Sequence, residues 1–329
     1  MLRIITILLC ALFTSPGTWA ACARTSGQPT TLTIPSQIMT ISADAPISTS
    51  EPFAQFDSPV AGTDIIFNPC TPGIEYGKRP LGLSGQDSST RIYQTNLAGI
   101  GIKLLYSNGA AFGNFPSTSS LTFPGGEKTG SVTIPGLSYY RIQFFKTGEL
   151  HLSNPQTGDT ILPGGDIAYN YMFTADPSSY TLKLNIGDMK IISTPACTVD
   201  GPKTVDFNNV TPTLLKSNVT RDLNFAIVCK SDYGIYSAKA SMTTTTPSSD
   251  ASYIRVKDAA GNMDRLGIRI TDGSNQPIKV DGTSSESLNS IASQGPADFA
   301  WQATLIPGKT PNPAGGTFTA KAEIVFDIQ

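Results

Sequence analysis

The C-terminal stretch GGTFTAKAEIVFDIQ, residues 315–329, alternates apolar and polar side chains, and only Val325 breaks the pattern. A period of two predicts a strand with one buried face. At a sheet edge, the backbone groups of such a strand are open to pairing with another chain. The stretch therefore predicts either a partner strand or an internal position. Its apolar row consists of Phe318, Ala320, Ala322, Ile324, Phe326 and Ile328.

Short stretches rich in β-branched and aromatic residues recur along the whole chain. Examples are TLTIPSQIMTIS, GIGIKLLY, LNFAIVC and LGIRITD, with Gly, Pro, Asn, Asp and Ser clustered between such stretches. Helical periodicity is absent, and the 30 Gly and 24 Pro are spread rather than concentrated. We therefore predict an all-β fold built from sandwiches with frequent turns.

Residues 1–20 have the layout of a secretory signal. Arg3 precedes an apolar run from residue 4 to 13, and small residues lie near Ala20. The run is too short to span a bilayer, and a buried N-terminal strand or helix is the alternative. We expect cleavage after Ala20 and export. The mature chain then carries 22 basic and 25 acidic residues without a long basic cluster, which does not favour binding to nucleic acid.

The mature chain contains four cysteines, which permit three disulfide connectivities. An even number of cysteines in an exported chain favours disulfides. Cys22 and Cys70 lie in one half of the chain and Cys197 and Cys229 in the other, so we predict one bridge within each half. Zinc is the alternative use of cysteine, but C-x-x-C is absent and His151 is the only histidine. No metal and no cofactor is expected.

The chain is long enough for about two domains. Strand-like stretches fill the sequence up to GDMKIISTPAC, residues 187–197, and a second cysteine pair follows. We predict a first domain at residues 21–190, a linker at residues 191–196 and a second domain at residues 197–329. Each part is large enough to bury its own core.

The second half resembles the pilin domain of chaperone-usher fimbriae, through CTVDGPKTVDFNNV, LNFAIVC, DRLGIRITDGSNQPI and the C-terminal strand. The first half resembles the receptor-binding domain of two-domain tip adhesins, through CARTSG, RIYQTNLAGIGIKL and IQFFKTGEL. The likeness is greatest to the type 3 fimbrial adhesin and more distant to the mannose-binding type 1 adhesin. It implies an N-terminal lectin-like sandwich and a C-terminal immunoglobulin-like sandwich that lacks its last strand.

This resemblance implies that the terminal apolar row borders a groove. A periplasmic chaperone fills the groove first. At an outer-membrane usher, a strand donated by the adjacent fimbrial subunit then replaces the chaperone. Ile328 stands where the family often has an aromatic residue, so we expect Phe326 to make the main aromatic contact. Because Cys197 directly follows a folded domain, we expect a subunit that accepts a strand and donates none, at the fimbrial tip on the bacterial surface.

Receptor-binding residues are also carried over from the resemblance. The mannose-binding relative lines its pocket with the mature N-terminus, with an acid and a Tyr after the second cysteine, and with a late polar loop. The matching residues here are Ala21, Cys22, Glu75, Tyr76, Asp176 and Tyr180. The late loop is shorter than in that relative, and these residues could equally be ordinary exposed turn residues. The receptor, a host glycan or a matrix protein such as collagen, stays open.

Two other functions remain as alternatives. A carbohydrate-active enzyme of sandwich fold needs only two carboxylates and no motif. A purely structural tip subunit would have no receptor. The sequence offers neither a Gly-rich phosphate loop nor a histidine placed for a Ser/His/Asp triad, so we predict no enzymatic activity.

Overall fold

The computed structural model describes residues 22–310 and 312–329. The predicted signal peptide, residues 1–20, and the candidate Ala21 lie outside the described residues. The regular secondary structure of the described residues is almost entirely strand, in several sheets around two separate hydrophobic cores. The all-β prediction is therefore confirmed. We call residues 22–194 the first unit and residues 196–329 the second unit.

The first unit contains sixteen strands and two single-turn 3-10 helices, Pro124–Gly126 and Pro177–Ser179. The strands are β1 (Cys22–Ser26), β2 (Thr30–Ile34), β3 (Gln37–Ser42), β4 (Ala54–Asp57), β5 (Ile65–Cys70), β6 (Glu75–Pro80), β7 (Tyr93–Gln94), β8 (Ile100–Ser107), β9 (Phe112–Asn114), β10 (Ser117–Ser120), β11 (Gly130–Ile134), β12 (Tyr139–Lys146), β13 (Asp159–Leu162), β14 (Gly165–Met172), β15 (Tyr180–Ile186) and β16 (Met189–Thr194).

Four sheets surround the core of the first unit, in the orders β1-β5-β11, β10-β6-β14-β15-β2, β4-β12-β8-β7 and β13-β16-β3. β9 adds to β8. Two of the pairs, β15 with β2 and β16 with β3, are parallel. The core takes alternate residues from paired strands, such as Ile102 and Leu104 of β8 and Ile142 and Phe144 of its neighbour β12.

The second unit contains nine strands and one short helix, α1 (Pro212–Lys216). Pro212 starts the helix, and the Thr211 hydroxyl accepts a hydrogen bond from Leu214 N, which caps it. The strands are β17 (Ala196–Val199), β18 (Val219–Lys230), β19 (Ile235–Thr243), β20 (Ile254–Val256), β21 (Leu266–Thr271), β22 (Pro277–Ile278), β23 (Asp281–Ala292), β24 (Pro296–Pro307) and β25 (Glu323–Ile328).

Two sheets form a sandwich in the second unit. One has the order β17-β18-β24-β21-β20, with β22 on β21, and the other has the order β23-β19-β25. In β24 every second residue is buried, and Phe299 and Trp301 are its largest core side chains. Tyr236 and Met242 of β19 enter the same core from the facing sheet. Alternation along both strands thus builds one apolar layer between the sheets.

The structure differs from the sequence prediction at two boundaries. The terminal strand begins at Glu323, not near Phe318, because the described residues 308–310 and 312–322 cross from one sheet to the other and form only an isolated bridge between Thr319 and Lys257. Residues 191–194, predicted as linker, belong to β16, which pairs with β3 up to Thr194. Only Pro195 separates β16 from β17.

Each unit contains one disulfide. Cys22 is bonded to Cys70, which joins β1 to β5, and Cys197 is bonded to Cys229, which joins β17 to β18. Cys70 and Cys229 are fully buried in the two cores. In both units the bridge therefore fixes the first strand of the unit to its neighbour.

Polar contacts join the two units beside the connection at Pro195. The loop after β18 carries Asp232, which is buried and accepts a 2.6 Å hydrogen bond from the Ser193 hydroxyl. The carbonyl of Asp232 also accepts a bond from Leu152 N at 2.9 Å. Lys230 forms a 3.0 Å ion pair with Glu149 and lowers the pKa of that carboxyl. The loop of the second unit is thereby attached to two separate parts of the first.

Candidate functional site

A groove of about 1250 Å³ runs along the second unit beside β25. One wall consists of residues 318–326, and the other consists of residues 199–207, which follow β17. Leu223, Phe225 and Ile270 of the larger sheet form part of the floor. β25 pairs with β19 along one edge, and its other edge has no strand partner in the described part of the chain. The groove is therefore bordered by an apolar floor and an unpaired strand edge.

Phe326 makes the aromatic contacts of the β25 wall. Its ring centroid lies 5.8 Å from that of Phe225 and 5.9 Å from that of Phe299. The strand neighbour of Phe326 on β19 is Ala240, whose small side chain leaves room for the ring. Ile324, Phe326 and Ile328 are only half-buried, although they pack against the second core. The apolar row of β25 is thus left incompletely covered.

Residues 318–322 continue this wall without forming a strand. Phe318 and Ala320 are half-buried against the core, whereas Ala322 is exposed. The ring of Phe318 lies 6.4 Å from that of Phe207, a residue of the opposite wall. The two walls therefore approach each other at Phe318. Five of the six predicted groove residues line the groove, and Ile328 lies beyond it at the end of β25.

The opposite wall is attached to β18 through Asp200. Its backbone N–H donates to Ala226 O at 3.2 Å, and its carboxylate accepts from Ala226 N at 2.9 Å. Lys203 forms a 2.9 Å ion pair with the same carboxylate, and both contacts lower the pKa of Asp200. Beyond Val199 this segment has no sheet pairing, so these contacts hold it beside the groove.

Cys22 does not offer a side chain to a ligand, because it is buried and bonded to Cys70. Only the backbone of Cys22 is therefore available to a receptor-binding site. The neighbouring candidate, Ala21, lies outside the described residues.

Glu75 and Tyr76 begin β6 at one end of the first unit. The Tyr171 hydroxyl donates a 2.7 Å hydrogen bond to the Glu75 carboxylate and lies 3.1 Å from the Thr118 hydroxyl. The backbone N–H of Phe173 donates to Glu75 O at 2.7 Å. Tyr76 and Phe173 are 39% and 40% exposed. The structure thus joins an acid and two hydroxyls by hydrogen bonds, and two exposed aromatic rings lie at the same end of the unit, with Tyr76 on the opposite face of β6 from Glu75.

Asp176 and Tyr180 flank the 3-10 turn that follows Phe173. The Asp176 carboxylate accepts 2.8 Å bonds from the N–H and the hydroxyl of Ser178, and the backbone bond is the larger cause of its lowered pKa. The ring of Tyr180 lies under Lys183, whose ammonium is 4.2 Å from the ring centroid. Asp176 therefore caps its own turn, and Tyr180 supports a neighbouring cation.

The sequence analysis missed Tyr171, Phe173 and a second exposed aromatic cluster. In that cluster the Phe112 ring packs edge-on to Tyr139 at 5.5 Å, and the Arg141 guanidinium lies 4.3 Å above Phe112. Asp57 holds Arg141 through two 2.7 Å hydrogen bonds. The alternation in YNYMF signals Tyr171, but nothing in the sequence shows that β9 and β12 meet on one surface.

Histidine, cysteine and acidic side chains form no group suited to a metal ion within residues 22–310 and 312–329. Over the same residues, no helix combines the length and apolar character needed to cross a bilayer. His151 is exposed in a loop.

One known protein family matches the C-terminal part of the chain. The family described as Fimbrial protein matches residues 186–329, the half of the chain that resembles a pilin domain in sequence. It is a family of fimbrial proteins and not of enzymes. No curated protein sequence matches the chain.

Several solved structures are similar to parts or most of the chain. The receptor binding domain of a plasmid-born adhesin of Klebsiella pneumoniae is 18% identical over 54% of this chain and 98% of its own, with a TM-score of 0.38. The tip subunit of the Csu pili of Acinetobacter baumannii, in complex with its chaperone, is 10% identical over 93% and 100%, with a TM-score of 0.41. The adhesive subunit of CFA/I fimbria of enterotoxigenic Escherichia coli is 11% identical over 92% and 93%, with a TM-score of 0.32. TM-scores below 0.5 do not establish a shared function.

Proposed function

Because residues 186–329 match the fimbrial protein family, we propose that the chain is an adhesive subunit of a chaperone-usher fimbria. Its second unit accepts a strand from another protein, and its first unit binds a host receptor. The observation that carries the proposal is the apolar groove beside the unpaired edge of β25. Exported through the periplasm, the chain would stand at the fimbrial tip on the bacterial surface.

The groove supports strand acceptance through two kinds of interaction. An extended segment laid between β25 and residues 199–207 would satisfy the free backbone groups of β25. Its alternate side chains would cover Phe225, Ile324 and Phe326, and burial of apolar surface contributes about 25 cal/mol per Å². A periplasmic chaperone is the first occupant, and the adjacent subunit replaces it at the outer-membrane usher.

The order of the two units supports a terminal place in the fibre. A subunit that donates a strand needs a free extended segment ahead of its pilin domain. Here β16 of the first unit ends at Thr194, and β17 of the second unit begins at Ala196. The connection is therefore too short to act as a donor strand, and the chain accepts a strand without giving one.

The first unit is the receptor-binding part in this proposal. Glu75, Tyr76, Tyr171 and Phe173 combine hydrogen-bonding groups with exposed aromatic rings, which suits the hydroxyls and apolar faces of a sugar. The Phe112 and Tyr139 cluster is a second exposed surface, and its rings suit a matrix protein. The proposal therefore includes both a glycan and a matrix protein as receptors.

A matched pair of substitutions tests strand acceptance. Phe326→Asp puts a charge on the apolar side of β25, whereas Val325→Asp introduces the same charge at the neighbouring residue, which is 46% exposed and does not line the groove. An unpaired buried charge costs several kcal/mol, so the Phe326→Asp protein should no longer co-purify with a co-expressed periplasmic chaperone. The Val325→Asp protein should be recovered like the wild type. Equal recovery of both variants would show that the groove is not the acceptor.

Receptor binding is tested on the first unit, residues 21–194. The isolated unit should bind a member of an array of glycans and matrix proteins, and turnover of a bound glycan would instead indicate an enzyme. Deletion of the first unit should abolish adhesion while fibres still assemble. Adhesion that survives this deletion would leave a purely structural tip subunit.

A further inference from the structure

The described residues 308–310 and 312–317 lead into the groove wall, which begins at Phe318. They follow the end of β24, and the described residues between Pro307 and Glu323 contain no strand. A wall without sheet hydrogen bonds needs other contacts to fix its position. The loop after β20, residues 257–265, supplies such contacts, and we call it the clamp loop.

Asp258 is the centre of the clamp loop. It is 4% exposed. Its Oδ1 accepts hydrogen bonds from the backbone N–H groups of Ala260 and Asn262 at 3.0 and 2.8 Å. Its Oδ2 accepts one from Ala314 N at 2.9 Å, across 56 residues of sequence. The Asn262 side-chain amide lies within 3.1 Å of both oxygens. One oxygen thus mainly closes the loop, and the other holds the groove wall.

Further contacts attach the same wall segment to the clamp loop. The Arg265 guanidinium donates to Asn312 O at 2.9 Å, and Thr310 N donates to Asp264 O at 3.2 Å. Gly316 adopts a φ of +138° and passes so close to the clamp loop that a Cβ there would lie 2.6 Å from the Ala259 Cβ. The segment is therefore held at Thr310, Asn312, Ala314 and Gly316.

The chemistry at Asp258 suits a fixed anchor. Every hydrogen bond to its carboxylate comes from an N–H donor, and these bonds, that of Ala314 first, keep its pKa well below the usual range. No ion pair reaches it within the described residues. The carboxylate is thus held by backbone and amide groups at defined positions. Bonds of this charge-assisted kind are about twice as strong as neutral ones.

The anchor at Asp258 opposes closure of the empty groove. Apolar walls without an occupant tend to close on each other, because contact removes apolar surface from water. Phe318 follows the anchored segment by two residues and already lies 6.4 Å from Phe207 of the other wall. Holding residues 310–316 limits how far Phe318 can move into the groove.

We infer that Asp258 is the positioning residue of the acceptor groove, which holds residues 314–322 in place so that a strand can enter. The inference rests on the proposed strand acceptance. Asp258 does not contact the incoming strand, and its effect passes through Ala314 to the wall that carries Phe318.

Asp258→Asn tests the Ala314 contact. An Asn side chain can keep an oxygen toward the clamp loop, but its amide then faces Ala314 N, donor against donor. The matched control is Asp272→Asn, because Asp272 accepts bonds from Ser274 N and Gln276 N at 2.9 and 2.8 Å and caps a loop that does not reach the groove wall. Ala314→Pro removes the backbone N–H that donates to Asp258 in the same hydrogen bond.

The full mature chain is co-expressed with a periplasmic chaperone, and hydrogen exchange is measured on the recovered complex. We expect Asp258→Asn and Ala314→Pro to lower recovery about tenfold, in line with one lost charge-assisted bond. Exchange at residues 314–322 should rise, while that of β19 stays unchanged. Asp272→Asn should match the wild type in both readouts.

The outcomes separate this inference from the proposed function. If the wild type forms the complex and Asp258→Asn forms it equally well, the positioning role is wrong. Faster exchange throughout the second unit would also overturn it, because that result indicates general destabilisation. If the wild type itself forms no complex, strand acceptance fails. Exchange at residues 314–322 of the chaperone-free chain then decides whether Asp258 fixes the wall.

Discussion

The hydroxyl of Ser193 in the first unit donates a 2.6 Å hydrogen bond to the buried carboxylate of Asp232 in the second. Because Leu152 N binds the carbonyl of the same residue, Asp232 joins two separate segments of the first unit to one loop of the second. The units are therefore connected by more than the single residue Pro195.

Asp232→Ala should loosen this connection. Loss of a bond to a charged group, with the Ser193 hydroxyl left unpaired, costs about 1.5–3 kcal/mol. Hydrogen exchange should accelerate at residues 149–152 and 231–234, with the cores of both units unaffected. Asp327→Ala, on the exposed side of β25, is the control and should leave these amides unchanged. Unaltered protection in Asp232→Ala would mean that the interface does not depend on this carboxylate.

Removal of the disulfide in the second unit should destabilise that unit alone. The bridge closes a loop across a sequence separation of 32, for which the chain-entropy model gives about 4 kcal/mol. The double substitution of Cys197 and Cys229 by Ala should lower recovery of the full chain from the periplasm. Binding by the first unit, which contains neither residue, should be retained. Peptide mapping without reductant should find no bridge between the units.

The acid stability of the first unit should depend on Asp87. Bonds from the Ser89 hydroxyl and from Thr90 lower the pKa of this carboxyl from 3.8 to about 2. A lowered native pKa gives stability that is present above the unfolded pKa and is lost as the pH falls toward about 2. Asp87→Asn should therefore flatten the fall in Tm of residues 21–194 between about pH 4 and about pH 2. An Asp87→Asn protein whose Tm falls as steeply as that of the wild type would contradict this prediction.

The hydrogen bond between Tyr171 and Glu75 should contribute to the affinity for the receptor. Tyr171→Phe deletes the hydroxyl that binds Glu75 and keeps the ring, so affinity should fall by about 1–2 kcal/mol if the Glu75 carboxylate must be held in place. Tyr180→Phe alters a hydroxyl whose nearest partner is Thr31 at 3.5 Å, and it should have little effect. Binding curves for the receptor found on the array provide the comparison. A larger loss of affinity in Tyr180→Phe than in Tyr171→Phe would instead locate the receptor site at the 3-10 turn Pro177–Ser179.

Local alternation allowed much of the fold to be predicted. The rows in LNFAIVC and in the terminal strand have a period of two, which depends only on the residues of the strand itself. The start of β25 was predicted too early because Phe318 and Ala320 continue the alternation, although that segment makes only a bridge to Lys257. A pattern of side chains does not reveal whether the backbone has a neighbour to pair with.

The site could be predicted only where one segment carries it. The wall at residues 199–207 is largely polar in sequence, and its place beside the groove comes from contacts with Ala226. The role of Asp258 comes from its hydrogen bond with Ala314, 56 residues away in sequence. Glu75 likewise makes its hydrogen bond with Tyr171, 96 residues away. Such pairs are brought together by the topology of the sheets, which no local pattern contains.

The parallel strand pairs of the first unit determine how it bears mechanical load. β16 runs directly into Pro195 and lies between β13 and β3 in its sheet. Tension transmitted through the connection pulls β16 along its own length, past β3, to which it is paired from Met189 to Thr194. Hydrogen bonds across such a pair lie across the pulling direction and share the force as a group, in shear, instead of opening one after another. If the second unit is held in a fibre, as proposed above, tension on it therefore loads this strand pair in shear.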